Sequence, residues 1–208
     1  MCIRDSPVTV VFPQGELSLG TNPVTGRDLE HLLELASRAS VHTVADQLRR
    51  GYLTVEGGHR VGLCGTPVLR DGQIHGLGRL SSAAIRVARQ VTGAAAPVAQ
   101  KLLGQSGAFC STLILAPPGA GKTTLLRDLI RMVSHGEGMA PQRVAVADER
   151  GEVAALWNGV PQLDVGERTD VLEGCPKVQA LMMLLRAMNP QVLAADEITA
   201  PEDVAARI

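Results

Sequence analysis

The residues best suited to chemistry lie in one short loop between an apolar run and a helical pattern. Residues 116–124 read Ala-Pro-Pro-Gly-Ala-Gly-Lys-Thr-Thr. The glycines let the backbone approach phosphate oxygens, the lysine places a charge near the β- and γ-phosphates, and the first threonine can ligate Mg²⁺. We therefore predict that ATP is bound by Pro117, Pro118, Gly119, Ala120, Gly121, Lys122, Thr123 and Thr124, with Thr123 also holding Mg²⁺.

The flanking elements agree with this interpretation. Residues 113–115, Leu-Ile-Leu, predict a buried central strand, and the prolines and glycines that follow force a turn. From Lys122 onward apolar residues recur at helical spacing, so the last amides of the loop would lie at a helix N-terminus, which favours an anion. The strict motif begins with glycine. Ala116 stands there, as the looser form of the P-loop allows.

A second group of candidates is acidic and follows a second apolar run. Residues 143–148, Arg-Val-Ala-Val-Ala-Asp, predict a buried strand that ends in Asp148 and Glu149, with Glu152 close behind. Ligands of open α/β sheets bind at the carboxyl ends of the strands. We therefore expect Asp148, Glu149 and Glu152 to orient water or to hold the hydration shell of the metal.

A third run, residues 191–197, has the Walker B pattern of small apolar residues before two acids. Parallel strands joined by crossovers end at one edge of a sheet, so this acidic end should meet the P-loop. We predict that Asp196 holds Mg²⁺ beside Thr123. Glu197 would polarise the attacking water as the catalytic base.

Composition restricts the remaining possibilities. The chain has 208 residues, 45% of them hydrophobic, and a formal net charge of −1. A chain of this length can bury one sizeable core or two small ones. Its nearly neutral net charge gives no electrostatic reason, for the chain as a whole, to expect binding to nucleic acid or to an anionic membrane. The four cysteines show no metal spacing and are too sparse for a disulfide framework, which favours a reduced, cytoplasmic protein. Membrane contact would then come through partner proteins.

Further patterns divide the chain. Thr25 and Asp28 predict a capping box that opens a helix, and Ser40 could cap a second one. Two hairpins should turn at residues 57–58 and 71–72, and residues 80–91 predict a strand running into a helix. Residues 176–188 predict a helix with Val178, Leu181, Met182, Leu185 and Met188 on its buried side.

These patterns predict two domains. Residues 24–96 would form a small α+β N-terminal domain, with residues 94–97 as the linker, and residues 97–208 a P-loop ATPase core. Residues 1–23 carry no continuous pattern and are treated as poorly defined, the first six as a candidate artefact of cloning or assembly.

Several segments together resemble the stage III sporulation protein AA family. They are residues 51–63, 80–89, the P-loop, 148–152, 164–177 and 196–197. That family is similar to the type II and type IV secretion ATPases. The resemblance implies an α/β fold, with a RecA-like P-loop NTPase core of mostly parallel sheet after a small α+β domain. It also implies a homo-oligomeric, usually hexameric, cytoplasmic ring that hydrolyses ATP for assembly of, or transport through, a sporulation membrane-channel complex.

The resemblance also bears on individual residues. Residues 148–152 match the acidic box of the secretion ATPases, which makes Glu149 or Glu152 a rival to Glu197 as catalytic base. In the secretion ATPases, arginines of the small N-terminal domain reach the nucleotide, and Arg79, Arg86 and Arg89 lie at the end of that domain here. Arg168 is their rival, because its loop could lie at the edge or pore of a ring. The chain stops eleven residues after Glu197. The resemblance therefore implies a C-terminally truncated core that could bind nucleotide yet turn it over poorly.

A nucleic-acid-associated RecA-like ATPase is the alternative function, because RecA-like cores also move along strands. Domains that bind single strands present aromatic stacking platforms. This chain has only Phe12, Tyr52, Phe109 and Trp157. Nucleic acid is therefore the less favoured partner.

Overall fold

The computed structural model describes residues 1–37, 47–198, 201 and 203. The chain divides into two compact units, Met1–Ala88 and Arg89–Ile208, eight residues before the expected boundary. The predicted linker is wrong. Ala95 and Ala99 are fully buried in the second unit, and the Ala95 amide donates to the Asp128 carboxylate at 2.8 Å. Their small side chains allow this close packing.

The first unit is built on an antiparallel sheet. Its strands are β1 (Cys2–Ile3), β4 (Tyr52–Val55), β5 (His59–Arg70) and β6 (Gln73–Arg86), in the order β1-β6-β5-β4. A separate hairpin joins β2 (Pro7–Phe12) to β3 (Gly15–Pro23), so residues without a predicted pattern do form strands. Helix α1 (Gly26–Ala36) buries Leu29 in the core of this unit.

Local predictions in this unit have mixed outcomes. The capping box is confirmed, since Thr25 Oγ1 accepts from the Asp28 amide and the Asp28 carboxylate accepts from the Thr25 amide. Both hairpins are confirmed, the first turning through a short 3₁₀ segment, Glu56–Gly58. The strand from residue 80 ends at Arg86, and residues 87–92 are not helical. The helix predicted from Ser40 falls mostly on residues 38–46, outside the described residues.

The second unit is built on a three-stranded parallel sheet. Its central strand β7 (Val144–Asp148) is fully buried between β10 (Thr169–Glu173) and β11 (Val192–Ala195). Helix α3 (Lys122–His135) packs on Val144 and Val146, while α4 (Lys177–Met188) packs on Ala145 and Ala147. Alternate side chains of a strand point to opposite faces, so the two helices cover opposite faces of the sheet. The remaining elements are the short helix α2 (Ala96–Ala99) and the small hairpin of β8 (Leu156–Trp157) and β9 (Val160–Pro161).

The predicted strand before the P-loop is wrong. Residues 113–115 are in no strand, and Leu113 and Leu115 are 64% and 82% exposed. Ile114 of this segment and the residues of β11 line one cavity of about 450 Å³. An apolar run favours burial but forms a strand only where its backbone meets a partner. The third parallel strand is instead β10, which no sequence pattern predicted.

The buried face of α4 also differs from the prediction. The helix is confirmed, but it buries Lys177, Ala180 and Leu184, while Met182 and Met188 are exposed. The strands beneath present small alanines, so the helix packs closely and places its own alanine at the contact. The fit between α4 and the sheet, rather than the position of the largest apolar side chains, therefore decides which face of this helix is buried.

Candidate nucleotide site

The P-loop forms the start of the site. Gly121, with φ +88°, precedes the first residue of α3, a left-handed conformation that suits glycine. Among the described residues no side chain caps this helix N-terminus, so its first amides are available to an anion. Lys122 Nζ donates to the carbonyl oxygens of Ala116 and Pro117, both at 3.1 Å. The lysine thus lies on the rim of the exposed loop and outside the core.

The two predicted metal-holding residues lie together. Thr123 Oγ1 is 3.0 Å from Asp196 Oδ2 and 3.3 Å from Oδ1. Thr123 is in the first turn of α3, and Asp196 directly follows β11, so the contact joins the P-loop to the carboxyl edge of the sheet. A hydroxyl and a carboxylate are the hard oxygen ligands that Mg²⁺ prefers. These residues therefore fit the predicted metal.

The charge state of Asp196 reflects its surroundings. Burial raises the pKa of this carboxyl above its ordinary value, and the negative charges of Glu152 and Glu197 raise it further, although the Thr123 hydrogen bond opposes them. A divalent cation would relieve this accumulation of negative charge. Among the described residues, no cluster of three or more His, Cys, Asp or Glu side chains could hold a metal alone. Mg²⁺ would therefore need phosphate and water oxygens as well.

Asp148 is a structural residue. It is fully buried, and its carboxylate accepts hydrogen bonds from the amides of Glu152, Val153 and Ala154 at 2.8–3.0 Å. These bonds fold the chain after β7 into a tight loop. The prediction that Asp148 orients water or hydrated metal is therefore wrong, because both carboxylate oxygens are already used within the protein.

The side chain of Arg127, on helix α3, holds the same loop by hydrogen bonds to its backbone. Its Nε donates to the Val153 carbonyl and its Nη2 to the Glu152 carbonyl, each at 2.6 Å. The residue lies on α3, one turn after Thr123, and is buried. Sequence analysis missed this role, although a basic residue placed among the apolar positions of α3 was a visible signal. Helix α3 and residues 149–154, which we call the acidic loop, are thereby held together.

The candidate bases lie beside this loop, and two of them are paired with cations. A small cavity of about 60 Å³ is lined by Glu149, Arg150, Lys177, Asp196 and Glu197. Arg150 Nη1 lies 2.5 Å from Glu197 Oε2, and Lys177 Nζ lies 3.6 Å from Glu149 Oε2. Glu152 contributes its charge to the same region, through its effect on Asp196. The predicted acids therefore meet at one edge of the sheet.

The candidate arginines, unlike the candidate acids, do not all lie in one unit of the chain. Arg168 donates to the Ser134 carbonyl at 3.4 Å, at the C-terminal end of α3. Since α3 rises about 1.5 Å per residue, this is roughly 20 Å from the phosphate end of the helix. Arg79 and Arg86 are on β6 of the first unit, and Arg89 begins the second. Their action on a nucleotide stays a prediction.

Comparison with known proteins shows the family to which the chain belongs. The family model described as "Sporulation stage III, protein AA" matches residues 2–207. The chain belongs to this family. The Stage III sporulation protein AA of Bacillus subtilis (strain 168) is 44% identical over 180 residues, which are 86% of this chain and 58% of that protein. A member of the family thus extends well beyond the length matched here.

More distant relatives share the fold or part of the sequence. Protein SEEDLING PLASTID DEVELOPMENT 1 of Arabidopsis thaliana is 27% identical over 189 residues, 90% of this chain and 24% of that protein. The X-ray structure of the Legionella pneumophila ATPase DotB has a TM-score of 0.54 and 14% identity, covering 99% of this chain and 56% of that chain. This family member therefore has the mixed α/β fold of a known ATPase. In the described part of the chain, no helix is long and apolar enough to cross a membrane.

Proposed function

We propose that this member of the stage III sporulation protein AA family binds ATP with Mg²⁺ and hydrolyses it on a RecA-like core. The observation that carries the proposal is the contact between Thr123 and Asp196, which joins a P-loop to a Walker B acid. Both residue types, and their places at a helix start and a strand end, suit a metal-bound triphosphate. The likeness to the ATPase DotB supports the same conclusion.

Each site residue has a role in this proposal. The amides of residues 117–124 and the Lys122 ammonium bind the phosphates, and Thr124 helps at the α-phosphate. Thr123 and Asp196 hold Mg²⁺, which when bound neutralises the developing phosphate charge. Glu197, adjacent to Asp196, is the first candidate to orient and deprotonate water. Glu149 and Glu152 lie at the same edge and are its rivals.

The cellular role follows from the family. The B. subtilis relative is a sporulation protein by name. We infer that this chain forms a homo-oligomeric ring, a hexamer as the resemblance to secretion ATPases implies, in the cytoplasm. Its turnover would energise assembly of, or transport through, a membrane-channel complex of sporulation, which it would meet through partner proteins.

The aromatic residues support this role over one on nucleic acid. Tyr52 is covered by Arg60, whose guanidinium carbon lies 4.0 Å from the ring centroid. Phe109 packs against two of the apolar clusters of the second unit. Phe12 is exposed, but on a hairpin of the other unit. Tyr52 and Phe109 are therefore engaged within the protein, whereas base stacking needs exposed ring faces.

A binding and turnover experiment tests the proposal. The full-length protein should bind a fluorescent ATP analogue and release phosphate from ATP. Lys122→Ala should abolish both while melting normally, because the hydrogen bonds of Lys122 in the described part of the chain go to exposed loop carbonyls. Lys101→Ala, at an exposed lysine outside the P-loop, is the matched control. Unchanged affinity in Lys122→Ala would refute the site. Stimulation by single-stranded DNA would favour the nucleic-acid alternative.

A further inference from the structure

Lys177 is a buried cation for which the proposed chemistry gives no role. It is the first residue of α4 and only 4% exposed. Its ammonium donates to the Asp203 carboxylate at 3.2 Å and to the backbone carbonyl of Glu197, and it pairs with Glu149 at 3.6 Å. Two hydrogen bonds and an ion pair with a second carboxylate therefore compensate the charge. Burial of a charge is tolerated only with such compensation.

The three acceptors belong to three separate segments. Glu149 follows β7, Glu197 follows β11, and Asp203 lies beyond them in the chain. Lys177 itself is held by α4, whose Ala180 and Leu184 pack on the sheet. One side chain on a fixed helix therefore ties together the two strand ends that carry candidate bases.

Glu197 depends on such support because its backbone is unusual. Its φ is +46°, a left-handed conformation that costs a residue with a side chain about 1 kcal/mol or more. Lys177 holds the carbonyl of this residue and Arg150 its carboxylate. The Glu197 amide donates back to Asp196 Oδ1 at 3.1 Å. Contacts to the carbonyl, the carboxylate and the amide of Glu197 therefore all stabilise the conformation that places this residue beside Asp196.

We propose that Lys177 is a positioning residue that holds Glu149 and Glu197 in their places beside Asp196. The inference rests on the proposed ATPase function. Lys177 acts on turnover and leaves nucleotide binding alone, because its contacts go to the acidic loops and, in the part of the chain that the structure describes, none goes to residues 116–124. Without the ammonium, the carboxylates of Glu149 and Asp203 lose their shared counter-ion, and the turn at Glu197 is released.

Steady-state kinetics of Lys177→Met in the full-length protein test this role. Methionine keeps the length of the side chain and removes the charge. We expect kcat to fall about tenfold or more, which corresponds to roughly 1.4 kcal/mol of transition-state stabilisation, while KM for ATP changes by less than about twofold. Arg186→Met, an exposed basic residue on the same helix, is the matched control and should behave as wild type.

A second variant separates positioning from folding. Lys177→Met with Asp203→Asn removes the carboxylate that would otherwise be left buried without its cation, and it should melt like wild type yet keep the loss in kcat. A normal kcat in either variant overturns the proposal. So does a loss of ATP binding in the stable double variant, because that would show that Lys177 acts on nucleotide binding and not on turnover alone.

Amide hydrogen exchange distinguishes failure of this inference from failure of the ATPase proposal. Lys177→Met should speed exchange at residues 196–198, whereas Arg186→Met should not. If the wild-type protein hydrolyses no ATP, the proposed function fails, and exchange alone then decides the role of Lys177. Unchanged exchange at residues 196–198 would overturn it.

Discussion

The Thr123 hydroxyl lies 3.0 Å from the Asp196 carboxylate, although 73 residues separate them in the chain. The contact depends on α3 starting and β11 ending at the same edge of the sheet. Arg127, one turn further along α3, holds the acidic loop that follows the neighbouring strand β7. The candidate nucleotide site is therefore a junction of three chain segments.

Asp196→Asn should stabilise the protein when no Mg²⁺ is present. Burial and two neighbouring carboxylates raise the pKa of Asp196, so its ionised form is unfavourable in the folded state. Asparagine has the same shape, accepts from Thr123 and carries no charge. We expect the melting temperature at neutral pH to rise by a few degrees, and Mg²⁺-dependent ATP binding to weaken. A lower melting temperature in the variant would contradict this account of Asp196.

The same pKa shift predicts a pH dependence. A carboxyl whose pKa is raised on folding binds more protons in the folded state, so it costs stability as pH rises from its unfolded value through its folded value. The melting-temperature gap between Asp196→Asn and wild type should thus be widest near neutral pH and should close as pH falls toward the ordinary pKa of an aspartic acid, 3.8. Thermal melts of both proteins across this range provide the measurement. A gap that stays constant with pH would mean that Asp196 charge is not its cause.

Glutamine variants separate the candidate bases. Glu197→Gln keeps the shape of the side chain and removes the base, so it should retain ATP binding and lose turnover by about a hundredfold or more. Glu149→Gln and Glu152→Gln should keep most of the rate if Glu197 has that role. Phosphate release at saturating ATP measures all three. Should Glu149→Gln or Glu152→Gln be the inactive variant instead, the base would be reassigned to that residue.

Much of the second unit could be predicted from local patterns. The helix from Lys122, the strands at 144–148 and 192–195 and the helix up to Met188 are confirmed, because each combines a clear periodicity with a distinct start or end signal. The strand at 113–115 and the buried face of α4 were wrong, and β10 was missed. Each of these depends on a partner: a strand on a neighbour's backbone, and a helix face on the alanines it covers.

The positions of the acidic residues at the strand ends could be predicted from the sequence, but which of them has a structural role could not. Asp148, Glu149, Glu152, Asp196 and Glu197 all follow apolar strands, and the sequence marks them equally. Asp148 became structural because the loop after it folds back far enough for three amides to reach its carboxylate. Lys177 was missed because helical periodicity assigns a lysine to the surface. Lys177 is buried because three chain segments, which contain Glu149, Glu197 and Asp203, meet around its ammonium.

Removal of the Asp148 carboxylate should unfold the acidic loop. Asp148→Ala leaves three backbone amides, two of them buried, without this acceptor, at a cost on the order of 3 kcal/mol or more. Urea denaturation can be followed through the single tryptophan, Trp157, which lies in the same unit shortly after this loop. Glu167→Gln, at an exposed acid of the second unit, is the control and should unfold like wild type. A small effect for Asp148→Ala would show that water replaces the carboxylate.

Gly151→Ala should destabilise the same loop through a collision with Glu173. Gly151 has φ +65°, and a Cβ there would lie 2.8 Å from Glu173 Cδ and 2.9 Å from Oε1. Glu173 cannot easily withdraw, since its carboxylate accepts from the Leu156 amide at 2.8 Å. Gly159 has a similar φ of +77° but open space around it. Gly159→Ala therefore measures the left-handed backbone cost alone, about 1 kcal/mol.

The difference between these two glycine variants isolates the collision. We expect urea denaturation to show Gly151→Ala less stable than Gly159→Ala by about 1–2 kcal/mol, with slower ATP turnover because Gly151 lies between Glu149 and Glu152. Combining Gly151→Ala with Glu173→Ala removes the obstructing carboxylate, so the double variant should lose less stability than the sum of the single losses. Equal losses for the two glycine variants, or simple additivity in the double variant, would show that the packing of Glu173 against Gly151 does not constrain the loop.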